Sequence, residues 1–313
     1  MGSKQVGYVL IALIAIGVVG LALRLIAAGS SELTLEGILP VSPDVIDRVT
    51  ITAPAPVGSE ARLDKINDVW QVERENAFVP KLNQLWTAAA DIDGAQLVAR
   101  NPASHERMGV LEGQGVNVAF WLGEFKQEEF IVGNWSQEVR LCYLRKPARN
   151  EVYAIPCPFG NIFDSSADGW RDPVVTSIPR DAIEAIEYEY PDGSFVLRRV
   201  ERGWIAESAD ILEPANVFAV NAVLGTLEGF IASGFAPEQE TENLNFTGPQ
   251  GISVRIITNE DSGYPTTRVR LLPRDDLSLY ATTPRRPNVF LMGARAASGL
   301  LLTLDDFIAA PGQ

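Results

Sequence analysis

Histidine and cysteine are nearly missing from this chain. One His and two Cys in 313 residues cannot build a zinc site of the usual His/Cys composition, nor an iron–sulfur cluster with four Cys ligands. No metal or cofactor is expected on that ground. A basic excess is missing as well. The chain carries 26 Lys and Arg against 40 Asp and Glu, a net charge of −14. Nothing is left over to displace counterions from a phosphate backbone, so no nucleic-acid partner is expected. The 26 Gly and 20 Pro are ordinary usage, which excludes collagen-like and low-complexity classes. What the chain does have is 46% hydrophobic residues, enough to build the cores of one large or two ordinary domains.

Charge is unevenly placed. The first 29 residues hold no acid and two bases, Lys4 and Arg24, so the remainder carries −16. Between those bases Val6–Leu23 is uninterrupted apolar sequence, and Leu25–Ala28 continues it. At ~1.5 Å per residue, a helix from Val6 to Ala28 spans roughly 34 Å, enough to cross a bilayer core. Tyr8 would sit at headgroup level near one end, and Arg24 would snorkel at the other. A cleaved signal peptide wants a shorter apolar core, and Arg24 stands between this one and the small-residue site Ala27-Ala28-Gly29. A lipoprotein signal needs a Cys at the cleavage point, whereas the first Cys is Cys142. Residues 1–29 are therefore read as an uncleaved single-pass transmembrane anchor, and 30–44, with Pro40 and Pro43, as a linker. A short tail ahead of a large acidic body is most simply placed with the N-terminus cytoplasmic and the C-terminal domains extracytoplasmic.

Beyond the linker the chain repeats itself. RLDKINDVWQV around Trp70 matches VLRRVERGWIA around Trp204, each an extended segment, a polar turn and a strand opening on Trp. Alternating strands precede them, at Ile46, Val49, Ile51 and at Ile183, Ile186, Tyr188. Pro80 and Pro214 follow, each expected to start an amphipathic helix, Pro80–Ile92 and Pro214–Leu227. Next come Gly115-Val116-x-Val118-x-Phe120 and Gly251-Ile252-x-Val254-x-Ile256. The closing hairpins match too, Cys142-Tyr143 with Leu279-Tyr280 and Val152–Ile155 with Val289–Met292. The expectation is an α+β fold in which the anchor is followed by two tandem copies of a mostly antiparallel β-sheet domain with a covering helix. Copy one is 45–165, copy two is 181–310, and 166–180 is the joint. The expected element order in each copy is ββ-β-α-ββββ.

The Trp hairpin, the Pro-initiated helix, the G-V-x-V strand, the hairpin ending Val152-Tyr153-Ala154-Ile155 and the Arg171-Asp172-Pro173 joint together resemble the bacterial domain-of-unknown-function family DUF4340. The resemblance extends over nearly everything after the anchor. It implies an α+β fold, single-pass anchoring and an extracytoplasmic accessory role, since some members are encoded beside gliding-type ABC export components. It supplies no catalytic residue.

Chemistry-bearing constellations are sparse. His105, in NPASHERMG, has no G-x-S-x-G elbow anywhere to serve and reads as a solvated loop residue. Asp91-x-Asp93-Gly94 opens like a calcium loop, but the following positions lack ligands, so a helix closed by Gly94 is expected. Gly109-x-x-x-Gly113-x-Gly115 lacks the Lys-Ser/Thr of a phosphate loop and reads as a turn. Adjacent acids such as Glu128-Glu129 should point to opposite faces of a strand and so form no catalytic pair. Cys142 and Cys157 lie on the two arms of one hairpin. Setting them opposite each other puts Pro147 opposite Val152 and leaves a four-residue loop. Two readings stand: a cross-strand disulfide, or two small core side chains like Leu279 and Ala294 at the matching positions of copy two.

The sequence thus predicts no enzyme. It predicts an anchored extracytoplasmic accessory or scaffold subunit acting by protein–protein contact, with the membrane and a protein complex as partners. The alternative is a small-ligand or glycan-binding module, for which an exposed Trp170 near the joint would be the sign.

Overall fold

Alternating apolar and polar side chains lay down the strands. The computed structural model describes residues 43–308 apart from 91–94, 137, 139, 158–161 and 276. The expected anchor over 6–28, the linker up to residue 42 and the Asp91–Gly94 motif lie outside the described residues. Among the described residues no helix is long and apolar enough to cross a membrane. The chain divides into two units, the first ending at Arg171 and the second opening at Asp172. Both are mainly antiparallel β-sheet with a few helices.

In unit one, Arg48–Thr52 (β1) buries Val49 and Ile51, and Glu60–Ile66 (β2) buries Ala61 and Leu63. This is the period of a strand with one face on a core. Val69–Val72 (β3), Glu75–Asn76 (β4), helix Val79–Ala90 (α1), Gln96–Ala99 (β5) and helix His105–Met108 (α2) follow. Val116–Leu122 (β6), Phe125–Ser136 (β7), Leu141–Arg145 (β8) and Val152–Pro156 (β9) complete the unit. One sheet holds them in the order β4-β3-β2-β1-β6-β7-β8-β9-β5. Pro80 sits in the first turn of α1, where its missing N–H costs nothing. Leu82 and Leu85 of that helix join Val49, Leu63, Phe120 and Phe130 in the core. A file of rings runs through it, Trp70, Trp86, Phe120, Phe130 and Phe163, with neighbouring centroids 5.5–5.7 Å apart.

The opposite face of this sheet carries a smaller core of Met108, Val110, Ile131 and Val152, covered by the segment 101–115. Backbone meets backbone there. A Cβ on Gly133 of β7 would lie 2.1 Å from the Met108 carbonyl oxygen, so only glycine permits the approach.

Unit two opens with Val174–Thr176 (β10). Ile183–Tyr190 (β11), Gly193–Val200 (β12), Gly203–Glu207 (β13) and Leu212–Pro214 (β14) follow, then helix Val217–Glu228 (α3). Phe230–Ile231 (β15), Gly234–Phe235 (β16) and helix Glu238–Thr241 (α4) come next. Ile252–Thr258 (β17), Thr267–Asp275 (β18), Ser278–Thr283 (β19) and Arg286–Gly293 (β20) are succeeded by helices Ala294–Ala297 (α5) and Leu304–Ile308 (α6). The main sheet runs β14-β13-β12-β11-β17-β18-β19-β20-β16, and β10 pairs with β15 separately. Position for position, this is the strand order of unit one. Val220, Val223, Leu224 and Leu227 of α3 pack into the core with Ile186, Leu197, Val254 and Val269.

Two expectations need correction. Pro214 does not start a helix. It ends β14 opposite Ile205 at the sheet edge, where a residue without an N–H is tolerated. The helix begins at Val217 behind the N-cap Asn216, whose side chain accepts from the Phe218 N–H. Among the described residues each main sheet also has nine strands rather than seven, because the short edge strands β4, β5, β14 and β16 leave too little alternation to read.

Candidate functional site

Cys142 is the second residue of β8, in the closing hairpin of unit one, and Cys157 follows β9. Their sulfurs are joined at 2.09 Å, with Cα atoms 5.7 Å apart. The register differs from the expected one by two residues: Cys142 faces Ile155, and Arg145 faces Val152. A slip of two keeps both cysteines on the core face. It lengthens the loop to residues 146–151, and that loop has its own supports. His105 is 4% exposed and Arg145 5%, so the reading of His105 as solvated is corrected. His105 Nε2 donates to the Asn150 carbonyl at 2.9 Å. Arg145 Nε donates to the Val110 carbonyl at 2.8 Å and Nη1 to the Arg149 carbonyl at 3.0 Å. One buried guanidinium thus ties segment 101–115 to the β8–β9 loop, a fork-shaped task for which Arg is suited. The sequence signal was faint, a lone Arg on a β-strand.

Unit two holds its corresponding short helix differently. Tyr280 of β19 donates its hydroxyl to Glu240 Oε2 at 2.7 Å, and Arg274 Nη2 lies 3.1 Å from the same oxygen. The bond to Glu240 pushes the Tyr280 hydroxyl pKa up. This helix lies between β16 and β17, as α2 lies between β5 and β6. The His105 segment of unit one thus has a positional counterpart in unit two.

Trp170 is fully buried in the core of unit one. Its indole N–H donates to the Asp164 carbonyl at 2.6 Å, and its own carbonyl receives the Phe78 N–H at 2.8 Å. Lys81 of α1 donates to Gly169 O at 2.7 Å and lies 3.2 Å from Asp164 Oδ2. Burial works against the Asp164 charge, yet hydrogen bonds from Ser166, with Lys81 close by, hold its carboxyl below the ordinary aspartate range. Trp170 is a packing residue, not an exposed aromatic.

Four strand carboxylates are matched with cations. Glu187 pairs with Arg255 at 3.0 Å and Glu189 with Arg268 at 4.0 Å. Glu128 pairs with Lys146 at 2.7 Å, and Glu129 pairs with Lys126. Glu128 and Glu129 border one depression, yet they face successive residues of β6, Phe120 and Ala119, in unbroken register, as alternation along a strand requires. Burial opposes the Glu129 charge, but hydrogen bonds from Lys126 and Asn117 outweigh it and lower its pKa. No three His, Cys, Asp or Glu among the described residues gather closely enough to hold a metal. The depressions are shallow, about 260, 290 and 350 Å³, at the small end of small-molecule sites.

The architecture defines an α+β protein of antiparallel sheets, cross-braced by ion pairs and one disulfide. The chain belongs to the family described as Domain of unknown function (DUF4340), whose model matches residues 76–249. That stretch begins in β4 of unit one and ends in unit two ahead of β17. Neither the curated proteins nor the solved structures gave a match.

Proposed function

We propose that the chain is a single-pass membrane-anchored protein whose body stands outside the cytoplasm. In this reading it is a non-enzymatic accessory or scaffold subunit, acting by protein–protein contact within a membrane complex. The observation that carries the reading is the pairing of the apolar run 6–28 with a disulfide in the body behind it. Structural disulfides belong to oxidising compartments, and a body translocated behind a membrane-spanning run satisfies both features. The two units are taken as tandem copies of one domain, which their shared strand order supports. An ABC-type exporter is the complex that the family resemblance implies. Burial of Trp170 removes the exposed aromatic on which the ligand-binding alternative leaned.

Two measurements test this. Protease added to intact spheroplasts should degrade the body, and protection of the body would reverse the orientation. Purification from native membranes in mild detergent should retain an integral membrane partner at fixed stoichiometry. Recovery of the chain alone would overturn the subunit reading.

A further inference from the structure

Five of the exposed large apolar side chains in unit one lie at one end of its sheet. The register brings them there. Arg48 at the start of β1 faces both Asp64 and Trp121. The β2–β3 turn closes Ile66 on Val69, and the β6–β7 turn closes Leu122 on Phe125. Both are two-residue turns, with positive φ at Asn67, Asp68 and Gly123, so each presents its flanking side chains on a stiff tip. Phe125 is 76% exposed, and Val45, Ile66, Val69 and Leu122 are between 44 and 47%. Five large apolar residues at one end of a sheet are more than the scatter of single exposed side chains that needs no explanation.

The same end is where the chain enters the sheet. Val45 precedes β1, between the two hairpin tips, and the apolar run ending at Ala28 lies 17 residues upstream. At ~3.3–3.6 Å per residue that stretch reaches no more than roughly 60 Å, so a bilayer holding the run stays within reach of this end of the sheet. Charge selects the kind of lipid. Asp68 pairs with Lys65 at 3.8 Å, Glu124 with Arg48 at 3.7 Å, and Lys126 with Glu129. Asp47 accepts from the Gly123 N–H at 2.7 Å. The tips therefore present apolar side chains backed by matched ion pairs, with no cationic excess to seek anionic headgroups.

We infer that the β2–β3 and β6–β7 tips, with Val45, dock unit one onto the zwitterionic surface of the bilayer that holds residues 6–28. Phe125 and Leu122 enter the headgroup boundary, as the apolar face of an interfacial helix does. The inference rests on the anchored reading above.

The test uses the full chain. Its only two cysteines are bonded to each other, so one introduced cysteine takes one nitroxide. Phe125→Cys, Val69→Cys, Val57→Cys and Ile14→Cys are reconstituted in phosphatidylcholine vesicles. Val57 is 73% exposed, in the β1–β2 loop at the opposite end of the sheet. Collisions with oxygen should exceed those with a water-soluble nickel chelate at 14, 125 and 69, and fall below them at 57. Lipid exposure at 14 with water exposure at both 125 and 69 overturns the docking and leaves the anchor standing. Water exposure at 14 overturns both. Spin–spin broadening at 125 that vanishes on dilution with unlabelled chain makes the occupant a second copy and also overturns the inference.

Discussion

The ammonium of Lys81 lies over the ring of Trp170, 4.5 Å from its centroid, while donating to the carbonyl of Gly169 at 2.7 Å. A residue in the first turns of α1 thereby closes the last loop of unit one over its own core. The contact is a cation–π pair on a desolvated face, reinforced by a charged hydrogen bond and the Asp164 ion pair.

Truncating the ring should be costly. Trp170→Ala is expected to destabilise unit one by about 3–5 kcal/mol, the range for emptying a large aromatic site. Lys81→Met keeps the stem and removes the charge, and should cost about 1–2 kcal/mol. Five of the six tryptophans, all except Trp204, lie in unit one. Tryptophan emission during urea unfolding therefore reads this unit. An unchanged midpoint for Trp170→Ala would refute the packing role.

Asp164 makes the same corner acid-sensitive. Its folded pKa is lowered, so its contribution is complete above the ordinary aspartate range and is lost as pH falls through the depressed folded value. Wild-type urea midpoints should fall more steeply than those of Asp164→Asn across that acidic window. Parallel pH profiles would show that the carboxylate carries no linkage.

The disulfide closes a separation of 15 residues. In the chain-entropy picture a loop of that size is stabilised by about 3 kcal/mol. Chain purified from membranes and denatured without reductant should show no reactive thiol. The double variant Cys142→Ala, Cys157→Ala should unfold at lower urea without losing its far-UV spectrum. Two thiols per chain in freshly isolated protein would contradict an oxidising location.

Arg145 should behave as a fastener. Arg145→Met leaves the carbonyls of Val110 and Arg149 without their donor, at about 2–4 kcal/mol. Arg145→Lys should rescue little, since a single ammonium cannot serve both directions. Amide exchange read by mass spectrometry should quicken in 105–115 and 146–151 before the rest of the sheet. Uniform acceleration over all of unit one would instead mark Arg145 as a general core residue.

Where a residue's setting depended on near neighbours, the sequence was legible. The alternation of Val49 with Ile51, the polar Asn67-Asp68 turn ahead of Trp70, and Pro80 in a first helical turn are local chemistry, and the strands and α1 follow from them. Pro214 shows the limit. A missing N–H suits a first helical turn and a sheet edge equally, and only the pairing of β14 with β13 selected the edge. The cysteine hairpin shows it again. Local turn geometry favours a four-residue loop, whereas the carbonyls of Arg149 and Asn150 are held by Arg145 and by His105, the latter 45 residues upstream of Asn150. That grip sets the wider loop and moves the register by two.

Composition and period determined the antiparallel sheets, their covering helices, the apolar run ahead of them and the scarcity of metal-ligating side chains. Tertiary structure decided what each polar or aromatic residue is for. His105, in a polar segment, became buried because a hydrogen-bond partner distant in the chain, the Asn150 carbonyl, meets its ring in the fold, and Trp170 because Lys81 of α1 closes over its ring while the Phe78 N–H holds its carbonyl. Burial of a polar group depends on such a partner being in place, and no local pattern announces a partner that the chain brings in from elsewhere.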